Sequence, residues 1–384
     1  MKFVFVSNYI NHHQKPFCDA MYELLGDEFA FVATMPMEAE RVSMGWSTDL
    51  VKLPYVKLLY ENPEVEQLIM ESDSVLFGWS EREDIAQKRL LSGKVTLRVS
   101  ERLYRDGRYK AISPRGLVAK YKEHIRFRKK PVYMLCAGAY TAADFSLIHA
   151  YPGKMLKWGY FPPFREYSED ALAKMKDDSD GLQIVWAGRF MPLKHPEYVL
   201  KLADTLKNKG FKFHIHMVGS GEMEEYIRGE VQQNFGDYIT LYGFKTPDEV
   251  RDIMEKCHIH LCTSNKLEGW GAVVNEGMNS GCVEIASEQM GVTPYLVRNG
   301  INGLSYPDDS YTKLEEQVLK VFEDWDKYSV LGKRAYETIR DEWNADVAAK
   351  RLYALTRDLL EGKEDKNIKI PEKGPLSAAQ ILKL

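Results

Sequence analysis

"HIHLCTSNKLEGWGAVVNEGMNSGC", residues 258–282, reads as three elements in order: a strand, a glycine-rich loop and a helix. The apolar run "HIHLCTS" supplies the strand. Gly269 and Gly271 let the backbone turn sharply and approach a ligand closely. From Ala272 onward, Val274 and Met278 stand four apart, the spacing of a buried helix face, and Gly281 stops the helix. Two carboxylates result, Glu268 at the end of the strand and Glu276 about one turn into the helix.

The same alternation runs outward through the chain. Strands are predicted at "KFVFV", "FAFVAT", "SVLF", "VTLRV" and "VYMLC" in the first half. The second half offers "LQIVWAG", "KFHIHMVG", "YITLYG", "HIHLCTS" and "CVEIAS". Near-continuous apolar strands separated by helices specify parallel sheets covered on both faces. The polar stretch 157–181, with its Pro162-Pro163 pair, breaks the pattern between the halves. The fold class expected is α/β, with two doubly wound Rossmann-like domains facing across a cleft and the ligand at the strands' carboxyl ends. The expected boundaries are 1–165 for the first domain and 166–342 for the second. A helix over 343–362, with its stripe of Val347, Leu352, Leu355 and Leu359, packs back on the first domain. Residues 363–384 form an appended tail.

Composition fits this reading. At about 150 residues per domain, 384 residues make two domains. Apolar residues at 45% and charged residues at 28% mark a soluble globular class. A net charge of −4 argues against a surface built for nucleic acid, and no apolar run is long enough to span a membrane. The N-terminus has only a short apolar run and reads as a strand rather than a secretory leader. Five cysteines, mostly in apolar runs, read as buried free thiols of a cytoplasmic protein.

One extended ligand could meet three features of the opening stretch in turn: a polyhydroxylated ring at Glu268, a phosphate at the helix N-terminus, and a second diol at Glu276. That is the outline of a nucleotide sugar. A second cluster, "LQIVWAGRFMPLKHPEYVLKLADTL" (182–206), places Arg189 and Lys194 just past a strand, where two cations can neutralise a diphosphate. Surface salt bridging is the plainer account of such a pair taken alone.

Four segments in order, "GRFMPLKHP", "HMVGSGEMEEY", "ITLYGFKTPDEVRDIMEKCHIHLCTS" and "EGWGAVVNEGMNSGCVEIAS", resemble the donor half of glycosyltransferase family 4, retaining enzymes of GT-B architecture. The resemblance covers about Gln183 to Asp308. It implies a hexosyltransferase in which Arg189 and Lys194 grip the donor diphosphate. Glu268 and the Gly269-Trp270-Gly271-Ala272 loop would hold the sugar, and Glu276 the ribose. Gly219, Gly243 and Phe244 would lie by the nucleoside. A nucleotide sugar, with a UDP-sugar favoured, would be the substrate, and no cofactor or metal is implied. The acceptor would be a hydroxyl, lipid-linked in surface polysaccharide or glycolipid assembly at the inner face of a membrane. Two other readings stay open: a sugar-nucleotide epimerase of the same fold, and a catalytically silent sugar-nucleotide-binding partner.

The loop after the first strand departs from the family's glycine-rich pattern, with Asn11, His12 and His13 in its place. A histidine there could bond the donor phosphate or take the acceptor's proton, and an unshifted imidazole suits proton transfer near neutral pH. A surface or helix-capping role stands equally beside it. Pro294 and Tyr295 also stand where many members carry an acidic residue.

Other features carry less. "CHIHLC" (257–262) suggests zinc, but alternating strand residues point to opposite faces. The Asp-Ser-Asp within 177–181 precedes a strand and reads as a solvated loop. "GSG" at 219–221 lacks the third glycine of a dinucleotide fingerprint. Residues 101–130 are different, with eleven Lys or Arg against three Asp or Glu. Ser113-Pro114 starts a helix whose stripe of Leu117, Tyr121 and Ile125 is edged by Lys120, Lys122, Arg126 and Lys129. Over 113–130 this suits an anionic membrane surface or a phosphate-bearing acceptor. A solvated helix packed on its domain by that stripe fits the pattern as well.

Overall fold

A computed structural model of the chain describes residues 1–43, 47–105, 107–176, 180–307, 310–363 and 367–382. The chain divides into two compact units. Met1–Pro163 and Trp343–Lys383 form the first, and Phe164–Glu342 the second. Most of the Asp-Ser-Asp loop, at 177–179, lies outside the described residues.

The first unit holds seven strands: β1 Phe3–Ser7, β2 Phe29–Ala33, β3 Val56–Leu58, β4 Ser74–Phe77, β5 Thr96–Ser100, β6 Val132–Ala137 and β7 Met155–Trp158. They line up as β3-β2-β1-β4-β5-β6-β7. The second holds β8 Leu182–Ala187, β9 Phe213–Val218, β10 Ile239–Leu241, β11 Ile259–Cys262, β12 Val283–Ser287 and β13 Leu304–Tyr306. Their order is β10-β9-β8-β11-β12-β13. Every pairing of these strands is parallel. Central strands such as β1, β2, β6 and β12 are buried at every position, because helices cover both faces of each sheet. Three short strands, β3, β7 and β13, were not predicted.

Both sheets reverse their order at the first strand. β1 lies between β2 and β4, and β8 between β9 and β11. Loops leaving the two strands of such a switch point diverge and open a crevice at the carboxyl ends. Arg189 and Lys194 follow β8 and Glu268 follows β11, so topology alone brings them to one crevice.

The C-terminal part of the chain completes the first unit. The Ala345–Leu360 helix packs along the Lys15–Leu25 helix, its Leu352 fully buried and Leu355 nearly so. The segment expected to be an appendage does more than trail. Leu376 donates to the carbonyl of Lys157 at 2.8 Å, Lys157 donates to Ser377 at 2.7 Å, and Ala379 donates to Met155 at 3.0 Å. An antiparallel bridge joins Leu156 to Ala378. The tail thus covers the exposed edge of β7, an edge that would otherwise offer unpaired backbone groups.

Candidate active site

Three glycines close the strands around the switch point of the second sheet. Gly188 follows β8, Gly219 follows β9 at φ +137°, and Gly243 follows β10 at φ +65°. A Cβ on Gly219 would lie 1.9 Å from the Gly188 carbonyl oxygen. Gly219 donates to the carbonyl of Gly243 at 2.9 Å. Bare backbone therefore forms this floor, with Phe244 projecting beside it, 55% exposed.

The loops after β8 and β11 are stitched together above it. Asn265 donates to the Leu193 carbonyl at 2.9 Å, and the Thr263 hydroxyl donates to the Lys194 carbonyl. The Trp186 indole N–H in turn donates to the Thr263 hydroxyl at 2.8 Å. The Lys194 ammonium forms an ion pair with Glu268, both side chains mostly buried. Arg189 is exposed on the same loop. The structure thus joins Lys194 directly to Glu268, which the sequence had assigned to different parts of a ligand.

His195 follows Lys194 on the same loop. It adopts φ +48°, a left-handed conformation uncommon for a residue with a Cβ. Three contacts hold it there: Glu197 Oε1 at 2.8 Å from Nδ1, Asn265 Nδ2 at 3.3 Å from Nε2, and a stacked Tyr198 ring at 4.6 Å. Strain of this kind gathers at ligand sites, where surrounding contacts maintain it. The only trace in the sequence is the His-Pro dipeptide after Lys194.

In the Gly269-Trp270-Gly271 loop the Trp270 side chain turns inward. Its indole is 1% exposed and donates to Asn275 Oδ1 at 2.9 Å, so only its backbone can meet a sugar. Gly271, at φ +92°, lies where a Cβ would meet Met290 Cε at 2.4 Å. Glu276 lies in the first turn of the Val273–Asn279 helix, capped at Ala272. That helix has only seven residues. It carries little dipole, and the positive charge for a phosphate comes from Arg189 and Lys194 instead. Burial raises the Glu276 carboxyl above its ordinary range, with Arg251, His260 and Arg165 pulling partly back. Arg251 is itself buried, donating to Asn279 Oδ1 at 2.6 Å and to the Ser280 hydroxyl at 3.1 Å.

Beneath this helix is a pair the sequence did not announce. His260 of β11 and Glu284 of β12 are register partners with no solvent exposure, Nδ1 to Oε2 2.8 Å. With Cys262 they form a group of three whose ligating atoms lie within 4.8 Å of one another. His260 Nδ1 is already engaged with Glu284, and a Cβ on Gly277 would lie 2.2 Å from that nitrogen. The helix backbone is thus pressed onto the pair. All five cysteines are free and buried.

Asn11, His12 and His13 belong to the first unit, after β1. The Asn11 carboxamide oxygen accepts from the backbone N–H groups of His13 at 3.0 Å and Gln14 at 3.2 Å. It shapes the turn into the Lys15–Leu25 helix, and the residue lines the same pocket as His13. The two histidine rings lie 3.9 Å apart. Burial lowers both pKa values, that of His13 to about 3 with His12 adding to the effect. Both are neutral near pH 7, and His13 is too weak a base to take a proton efficiently. His13 lines a pocket of about 220 Å³ with Asn8, Trp79, Trp158 and Tyr160.

Two doubly wound parallel sheets in separate units define a GT-B fold, and this chain has it. The structure of HepE from Anabaena, solved in complex with UDP, overlays with a TM-score of 0.68 across 94% of this chain and 100% of that one, at 13% identity. Residues 168–338 match the family of glycosyl transferases group 1, and the second unit belongs to it. An uncharacterised glycosyltransferase of Methanocaldococcus jannaschii is 29% identical over 153 residues, 40% of this chain and 42% of that protein. A putative colanic acid biosynthesis glycosyltransferase of Escherichia coli is 23% identical over 192 residues, 48% of this chain and 47% of that one. The matches therefore span less than half the length of these relatives.

Proposed function

We propose that the protein is a retaining glycosyltransferase that moves a sugar from a nucleoside diphosphate, uridine diphosphate favoured, to a hydroxyl of a lipid-linked saccharide. The observation that carries this reading is the Lys194–Glu268 pair at the switch point, with Arg189 on the same loop. An ammonium already held against a carboxylate can meet a diphosphate on one side while the carboxylate orients sugar hydroxyls on the other. As the bond from the sugar's anomeric carbon to phosphate breaks, the diphosphate leaves with the electron pair, and both cations stabilise its growing charge. The acceptor oxygen bonds to the same face of that carbon, and its proton leaves with the diphosphate. The two cations supply the positive charge that a metal ion provides elsewhere, so the reaction runs without one. Glu268 orients rather than attacks. Neutral His12 and His13 act by hydrogen bonding. UDP in the Anabaena neighbour and the colanic acid assignment of the E. coli relative support the choice of base and setting.

The test is thermal stabilisation by UDP, GDP, ADP and NAD, with and without EDTA, beside Arg189→Ala. A ligand at about a hundred times its dissociation constant adds roughly 2.7 kcal/mol. Stabilisation by one nucleoside diphosphate that survives EDTA and is lost in the variant supports the reading, and stabilisation by NAD alone defeats it. Conversion of the donor sugar with no acceptor present would instead identify an epimerase.

A further inference from the structure

The Pro114–Glu123 helix buries none of its side chains. Leu117, Val118 and Tyr121 share one face and are 42%, 57% and 56% exposed, while Tyr109 just before them is 68% exposed. A helix packed on its domain by its apolar stripe would hide these residues, so that alternative fails.

The helix is nonetheless firmly held at its ends. The Ser113 side chain caps it by accepting from the Gly116 N–H. Beyond its last turn, Arg98 donates to the Glu123 carbonyl at 2.6 Å, His124 Nδ1 meets the Tyr151 hydroxyl at 2.7 Å, and Phe127 is buried. An apolar face is therefore presented outward by a fixed element. Helical geometry puts Lys120 on one side of that face and Arg115 with Lys122 on the other. Arg126, Arg128, Lys129 and Lys130, all exposed, continue the basic edge.

We propose that residues 109–130 are a docking surface for an anionic lipid bilayer. Tyr109, Leu117, Val118 and Tyr121 enter the boundary between headgroups and acyl chains, and the surrounding cations meet lipid phosphates. Charge complementarity selects this occupant. Protein interfaces are depleted in Lys at their cores, and a soluble polyanion has no use for the apolar face. The inference deepens the reading of a lipid-linked acceptor. It is tested apart from that reading, because vesicle binding requires neither donor nor turnover.

The experiment is co-sedimentation of the full chain with vesicles of phosphatidylcholine alone and of equimolar phosphatidylcholine and phosphatidylglycerol. The expected result is binding to the anionic vesicles only, fading as the Debye length shrinks from about 10 Å at 0.1 M salt to about 3 Å at 1 M. Lys122→Glu with Arg126→Glu should weaken binding by at least roughly fivefold per cation. Leu117→Ser, Val118→Ser and Tyr121→Ser together should weaken it roughly tenfold or more, with an unchanged melting temperature. Equal binding to both vesicles, or none to either, overturns the proposal. So does an apolar triple variant that binds as well as wild type while the charge reversals abolish binding, because the surface would then serve a soluble polyanion. Nucleotide stabilisation of the same variants shows separately whether the donor site is intact.

Discussion

His260 and Glu284 face each other across adjacent parallel strands in the solvent-free core, and the backbone of Gly277 bears directly on them. A hydrogen-bonded pair here occupies positions where apolar side chains would pack without cost. One carboxylate oxygen, Glu284 Oε1, has no hydrogen-bond partner among the described residues. Breaking the pair should be far worse than replacing it. Glu284→Ala alone should cost about 3–5 kcal/mol, whereas His260→Leu with Glu284→Val should be neutral or stabilising by about 1–4 kcal/mol. Chemical denaturation of both variants checks this, and a double variant as unstable as the single one refutes it.

Gly277 follows from the same packing. Gly277→Ala must push the helix off the pair, costing about 1–3 kcal/mol. Glu276, one residue before, should lose its position, so nucleotide affinity should fall along with the melting temperature.

Glu276 itself should trade stability against binding. Its folded-state pKa is raised by burial, so the folded protein holds its proton to higher pH than the unfolded chain does. Above the folded pKa the ionised carboxylate therefore weakens the fold. Glu276→Gln should melt higher than wild type at neutral pH, yet bind nucleoside diphosphate at least tenfold more weakly, as expected from loss of a charged hydrogen bond of about 1.5–3 kcal/mol. Calorimetric titration alongside a melt reads both effects.

Arg189→Ala and Lys194→Ala should each lower kcat by about a hundred- to a thousandfold if the cations stabilise the departing diphosphate. Lys194→Ala leaves Glu268 without its ion-pair partner, whereas Arg189→Ala does not. Combining Lys194→Ala with Glu268→Ala should therefore be strongly non-additive, and combining Arg189→Ala with Glu268→Ala less so.

Acid should destabilise the protein early. Burial lowers His13 to about 3, His124 to about 2 and His216 to about 4, helped at His124 by the charges of Arg98 and Lys120 and at the other two by a neighbouring imidazole, His12 or His214, competing for the same protons. Below their ordinary value of 6.5 the unfolded chain takes up protons that the folded protein refuses. Each histidine then removes about 1.4 kcal/mol per pH unit until its folded pKa is reached. The melting temperature should fall steeply from pH 6 towards pH 4, and a flat profile there would contradict the burial of these rings.

The parallel strands were legible because long buried strands read as unbroken apolar runs, as in "KFVFV" and "LQIVWAG". The E-x7-E stretch was legible because its glycines mark the turn. What escaped notice depends on partners distant in sequence. His260 looks like one member of an alternating strand until β12 brings Glu284, twenty-four residues on, into register. The turn that the Asn11 carboxamide shapes and the bond by which Asn275 Oδ1 fixes the Trp270 indole likewise depend on backbone conformation that spacing alone does not give. The strain at His195 leaves no compositional mark.

The discontinuity of the first unit bears on synthesis. A ribosome releases residues 1–163 early, with all seven strands of the first sheet among them. The groove along the Lys15–Leu25 helix and the edge of β7 stay open while the second unit is translated, because the segments that cover them follow it in the chain. During that interval the nascent chain presents bare apolar surface and an uncovered strand, the two features that chaperones engage. A nonsense mutation shortly after residue 342 would make the interval permanent, leaving the whole second unit attached to a first unit that lacks the segments covering its helix and its sheet edge.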